Sequence, residues 1–190
     1  MKKLLFTLFL ILSISSVFAQ DLKSLKLEAQ RVFIASSEPN FDVIFETTYP
    51  KIFEIASKEE MKQVFLEILD NDEFSIKLLT ADPNFEFGAI IKINNQKFCV
   101  VKHDNYMRLT FKTKIESPET LTAIFKSNMN AEEVTYNDAL KSFDIKIRST
   151  LVAVSDDLTN NKWKFVNLGS DDQLLYKIFS EEVIRKLEIH

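Results

Sequence analysis

The sequence predicts an α+β domain, on three observations. Its first third repeats apolar residues at steps of three and four, the spacing of one helix face. From Phe74 onward the period changes to two, the alternation of a half-buried strand. The stretch 143–168 carries that alternation furthest, and the rest of the chain is organised around it. There Phe143, Ile145 and Ile147 alternate with Asp144, Lys146 and Arg148. Leu151–Val154 is continuously apolar, which predicts cover on both faces. Ser155–Asn161 is a turn by composition, and Trp163 and Phe165 return on one face with Lys162 and Lys164 on the other. Together these residues predict a long hairpin.

Taken in order, Asp21–Ser36 predicts a helix whose apolar face is Leu22, Leu25, Ala29, Val32 and Phe33, ended by Glu38-Pro39-Asn40. A second helix carries Phe41, Ile44 and Phe45. Pro50 cannot donate a backbone hydrogen bond and crowds the turn before it, so a break is expected at Thr48-Tyr49, with a short helix bearing Ile52 and Phe53 after it. Ser57-Lys58-Glu59-Glu60 is a capping box. It opens a helix whose stripe is Met61, Val64, Phe65, Ile68 and Leu69. Strands follow at Phe74–Thr80, Phe85–Ile93, Lys97–His103 and Tyr106–Lys112. The turn Asp82-Pro83-Asn84, the connection Asn94-Asn95-Gln96 and the pair Asp104-Asn105 separate them. Clean alternation in the last of these fits an antiparallel sheet with one wet face. Ser117-Pro118-Glu119 opens a helix with a Ser cap and Pro at its first position, burying Leu121, Ile124 and Phe125. Val134–Tyr136 reads as a short strand. After the hairpin, Leu174, Leu175, Ile178 and Phe179 mark a helix, and Ser180 caps a further turn ending near Leu187.

The totals set the class. Lys2 and Lys3, the apolar run Leu4–Phe18 and the small residues before Gln20 have the three-part layout of a secretory signal peptide. The run is shorter than the roughly 20 residues of a spanning helix. The expected organisation is therefore a leader at 1–19 and a single domain at 20–190, periplasmic or extracellular, with no membrane contact in its mature form. Without Lys2 and Lys3, 22 basic residues face 28 acidic ones, a net charge of −6. An acidic surface with no basic cluster argues against nucleic acid as a partner. Cys99 is the single cysteine, so no disulfide closes within the chain. Its apolar neighbours Phe98, Val100 and Val101 predict a buried, inert thiol. Seventeen Phe against two Gly describe a core of large rings, with no loop suited to cradling phosphate.

Helices first and a sheet afterwards, with Thr48-Tyr49-Pro50-Lys51-Ile52-Phe53, Lys58-Glu59-Glu60-Met61 and the closing Lys162-Trp163-Lys164-Phe165, resemble NTF2-like (cystatin-like) domains, in particular exported Bacteroidetes proteins of that type. The resemblance implies N-terminal helices packed in a strongly curved antiparallel sheet, an NTF2-like cone, which often encloses an apolar pocket. It implies no single activity, because the fold hosts isomerases, dehydratases, transport factors and binding modules.

Signals for chemistry are few. His103-Asp104 is the one acid–base pairing, but neighbours in a strand point to opposite faces, and the pair reads as a solvated strand end. Two His and one Cys leave no ordinary zinc set. Asp70-Asn71-Asp72-Glu73 and Asp156-Asp157 lack the Gly and distal Glu of a calcium loop and read as polar turns. No metal, no cofactor and no catalytic residue is assigned. An isomerase would pair a carboxylate base with a Tyr or protonated Asp donor; Tyr49, Tyr106, Tyr136 and Asp144 are the types available. Met107, Phe111, Phe125 and Trp163 are the candidate ligand-binding residues. The leading expectation is an exported, non-catalytic module that binds an apolar small molecule or a protein partner. A small pocket enzyme of isomerase or hydratase type and a homodimeric structural protein are the alternatives.

Overall fold

The computed structural model describes residues 2–169 and 172–189, with the side chains of residues 2–19, 172 and 173 outside that description. Four helical segments come first: α1 (Lys2–Ser37), α2 (Phe41–Thr47), a 3-10 turn at Pro50–Glu54, and α3 (Lys58–Leu69). Strands β1 (Phe74–Leu79), β2 (Glu86–Phe87), β3 (Ile91–Ile93) and β4 (Gln96–Phe111) follow. Then come α4 (Pro118–Asn128), β5 (Ala131–Asn137), β6 (Ser142–Ser155), β7 (Lys164–Asn167), α5 (Asp172–Ile178) and α6 (Glu181–Leu187). Side chains of the expected leader, residues 1–19, lie outside the described set; the expected cleavage point after Ala19 falls within α1. Among the described residues, no helix is long and apolar enough to cross a membrane.

The architecture is α+β around an open, seven-stranded antiparallel sheet. Two long strands form its spine. β4 and β6 pair from Lys97↔Ser155 to Thr110↔Ser142. Shorter strands line their outer edges: β1, β2 and β3 share the free edge of β4, while β5 and β7 share that of β6. The hairpin expected at 143–168 is present as β6 and β7. Its turn is closed by Asp156, whose carboxylate accepts from the Thr159 amide while its own amide donates to Thr159 Oγ1.

Period-two alternation along the spine sets the layers. On one face, Leu25 and Ala29 of α1 pack against Cys99, Val101, Ala153, Trp163 and Phe165. Further along that face, Leu121 and Phe125 of α4 cover Met107, Leu109, Phe143 and Ile145. On the other face, α5 and α6 cover Phe98, Val152 and Val154. Leu151–Val154 is thus buried from both sides, as its unbroken apolar run requires. Leu151, Val152 and Val154 each contribute about 1.5–3 kcal/mol by this burial. The rest of the second face is polar: Arg108 lies across from Asp144, and Asp104 across from Arg148.

Several expectations need correction. The strands expected at 97–103 and 106–112 are one strand, β4. Asp104-Asn105 does not interrupt it, because the Asp104 amide donates to Pro83 O at 2.7 Å and both residues stay in register with β6. Conversely, the strand expected at Phe85–Ile93 is two short pieces. Phe87 pairs with Val101 and Ile91 with Phe98, so the segment between holds one residue more than β4 does, a bulge. Gly88 sits in it, its amide on Val100 O at 2.9 Å; a Cβ there would lie 3.1 Å from that oxygen. The connection after β3 is the two residues Asn94-Asn95, both at positive φ (45° and 68°), the turn geometry that matches strand twist. β5 is longer than Val134–Tyr136. Ser117 makes no side-chain cap bond, although Pro118 does open α4. Ile124 is exposed rather than buried, as are Val64 and Ile68 of α3.

Candidate functional site

The face that carries α1 is not filled along its whole length. Between the α1 contact and the α4 contact lies a cavity of about 450 Å³, within the range of small-molecule sites. His103, Asn105 and Met107 of β4 form its floor, with Leu151 and Phe165 beside them. Val32 and Phe33 of α1, Thr47 of α2, and Met61 and Phe65 of α3 close it from above.

Local sequence explains how these elements reach it. Tyr49 anchors the segment after α2: its amide donates to Phe165 O at 2.9 Å, and its hydroxyl donates to the buried Asp156 carboxylate at 2.8 Å. Pro50 then starts the 3-10 turn that brings Ile52 to the wall. Ser57 and Glu60 form the expected capping box and start α3. α3 has no buried residue; it touches the cavity through Met61 and Phe65 and shows Val64 and Ile68 to solvent. Its part of the roof therefore covers the site with half-buried side chains only.

The chemistry of the wall is almost entirely apolar, and its hydroxyls are turned away. Ser36 Oγ donates to Val32 O at 2.9 Å, Thr47 Oγ1 to Val43 O at 2.7 Å, and Thr48 Oγ1 to Ile44 O at 2.7 Å. Each hydroxyl thus donates to a carbonyl of its own helix. The remaining polar capacity belongs to His103, Asn105 and Asn167. Asn105 donates from Nδ2 to Ser149 Oγ at 2.7 Å.

His103 is the one titratable side chain in the wall among the described residues. It is 6 % exposed, held edge-on to Phe33 at 5.8 Å and against Phe85 at 5.7 Å between ring centres. Its Nδ1 is buried without a hydrogen-bond partner. Burial, with a smaller contribution from Arg148, lowers its pKa below the ordinary His value, so the imidazole is neutral at neutral pH. The expected solvated strand end is therefore corrected: His103 and Asp104 are both buried, in the middle of a strand, though on opposite faces as alternation requires.

Asp104 has the opposite environment. It is 3 % exposed and accepts from Arg148 Nη1 at 2.7 Å and Asn84 Nδ2 at 2.8 Å, with Lys146 Nζ at 3.3 Å. Burial would raise its pKa, but these donors outweigh it and hold the carboxyl at about 2. It is a structural anion that pins the 82–84 turn and β6 to β4.

Of the four ligand-binding candidates, Met107 lies in the cavity floor. Phe111 and Phe125 belong to the filled cluster under α4. Trp163 is buried under α1, its Nε1 donating to Asp21 O and Ser24 Oγ, both at 3.2 Å; its role is to seat that helix. None of Tyr49, Tyr106, Tyr136 and Asp144 lines the cavity. Tyr49 is committed to Asp156, and Asp144 to a two-pronged pair with Arg108 at 2.6 and 2.7 Å. Cys99 is fully buried beneath α1, and burial pushes its thiol up to about 11. Among the described residues, no group of three or more His, Cys, Asp or Glu is placed to hold a metal ion. The sequence reading did not single out Phe33 or Phe65 as site residues, and it set His103 aside as a solvated strand end. The signal for His103 was present, since it shares parity with Cys99, Val101 and Met107. Compared with protein-family models, curated proteins and solved structures, the chain matches none of them.

Proposed function

We propose that this chain is an exported, non-catalytic binding module that takes an apolar small molecule into the cavity over His103, Asn105 and Met107. We further propose that its architecture is an NTF2-like cone, with the N-terminal helices in the hollow of a curved sheet. The observation that carries the binding reading is the wall itself: about 450 Å³ lined mainly by apolar side chains, with three hydroxyls bonded back to their own helices. A space of that size corresponds to roughly 15 waters of liquid volume, and an apolar lining gives those waters few partners. An apolar ligand gains by replacing them. An isomerase or hydratase would need a second acid or base beside His103, and among the described residues no carboxylate or phenol lines the wall.

The test is native mass spectrometry on protein purified from an exporting host, beside the Val32→Phe variant, whose ring enters the cavity from α1. The expected result is an added mass of an apolar molecule on the parent chain and its loss from the variant. At a ligand concentration 100 times Kd, stabilisation of about 2.7 kcal/mol raises Tm by roughly 5–10 °C. No added mass, together with no thermal response to alkyl-chain probes, would remove the proposal.

A further inference from the structure

We infer that the cavity selects an uncharged ligand, a mainly apolar molecule whose one hydroxyl or carbonyl group meets His103. The inference rests on the binding reading above and specifies its ligand class. Its first support is what the wall lacks. Among the described residues, no Lys, Arg, Asp or Glu lines the cavity. An ionised carboxylate would enter without a counter-charge, and so would an ammonium. Moving either from water to an apolar space without a partner is strongly unfavourable.

The second support is what the wall leaves unsatisfied. His103 is more than nine-tenths buried, lies in the wall, and has a ring nitrogen with no partner. A buried polar group without a hydrogen bond is unfavourable, and the two rings packed on it, Phe33 and Phe85, offer only edges and faces. A neutral imidazole carries one donor and one acceptor nitrogen. Nδ1 has no accessible surface in the folded chain, so a ligand group meets the ring at Nε2, which accepts from a hydroxyl or, in the other tautomer, donates to a hydroxyl or carbonyl. Burial holds the ring neutral, so it supplies no positive charge that would favour a carboxylate instead. The charged groups near the ring, Asp104 on its own strand and Arg148 on β6, face the other side of the sheet and are paired to each other.

The experiment uses three probes with one chain and three heads: 1-decanol, decanoate and decylamine, titrated at neutral pH into the exported protein by calorimetry. Decanol is expected to bind at least about tenfold tighter than either charged probe. In His103→Phe, decanol affinity is expected to fall about tenfold. Imidazole ¹⁵N shifts of the parent protein provide a readout that needs no variant: decanol should move the His103 resonances. Decanoate or decylamine binding as tightly as decanol overturns the head-group inference and leaves the binding reading in place. So does decanol binding that leaves the His103 resonances unmoved. Failure of all three probes to bind removes both.

Discussion

One sheet face runs beneath two different covers, and its two ends finish differently. At the α4 end, Phe143 is fully buried, with Tyr136, Phe125 and Phe111 ring centres at 4.9, 5.1 and 6.1 Å. At the α2–α3 end, the same alternation supplies His103, Asn105 and Met107 to an open cavity. The floor is similar in kind; the roof is not. α4 runs directly into β5, which pairs with β6, so it is held close to the strands it covers. Neither helix buries a residue fully, and each turns apolar side chains outward; the difference is that Leu121 and Phe125 of α4 pack against the buried residues of the sheet, whereas Met61 and Phe65 of α3 border the cavity. Whether a half-buried sheet makes a core or a site is decided by how the covering helix is seated.

That contrast has measurable consequences, the largest at the filled end. Phe143→Ala should cost about 3–5 kcal/mol, read from urea unfolding. A cost below about 1 kcal/mol would show that the α4 end is as loosely packed as the other. Asp104→Asn is next. The Asp104 carboxyl is held at about 2, below its ordinary value, so its contribution of about 2 kcal/mol is full above about pH 4. It is lost as pH falls from about 4 toward 2. The variant should be less stable by about that amount at pH 7 and should lack this acid limb. His103 adds an earlier limb of the same sign. Its pKa is lowered in the folded chain, so protonation favours the unfolded chain as pH falls below about 6.5. His103→Phe should remove that limb while keeping the one from Asp104. A pH–stability profile with one limb, shared by both variants, would contradict the opposite environments described for these neighbours. The smallest effect belongs to the roof. Val64→Lys and Ile68→Lys should each change stability by no more than about 0.5 kcal/mol, since both side chains already face water. A loss of 2 kcal/mol from either would mean that α3 is packed against something that covers this face.

Much of the fold was legible because its signals are local. The capping box at Ser57–Glu60, the break at Pro50, the hairpin around Asp156 and the burial of Leu151–Val154 on both faces all follow from residues within a turn or a strand of one another. The misreadings share one cause. Asp104-Asn105 has turn composition, but Pro83 O, Asn84 and Arg148, each distant in sequence, hold it inside a strand. Val64 and Ile68 fit a helical stripe, yet only Met61 and Phe65 of that stripe reach the cavity. Among the four ligand-binding candidates, spacing could not tell Met107 in the floor from Phe111 and Phe125 under α4. Met107 and Phe111 share one parity along β4, and Phe125 lies on the apolar stripe of α4.

The sequence by itself determined the class of the protein and most of its elements. Periodicity, caps and turn residues act over two to five positions, and tertiary packing did not override them there. Only the tertiary structure decided that β4 is continuous, that His103 ends unpartnered in an apolar wall while Asp104 ends among cations, and that a cavity separates the two covers. Those outcomes depend on which distant groups arrive next to a residue, and on how closely one helix settles onto a sheet. No window of a few residues contains that information.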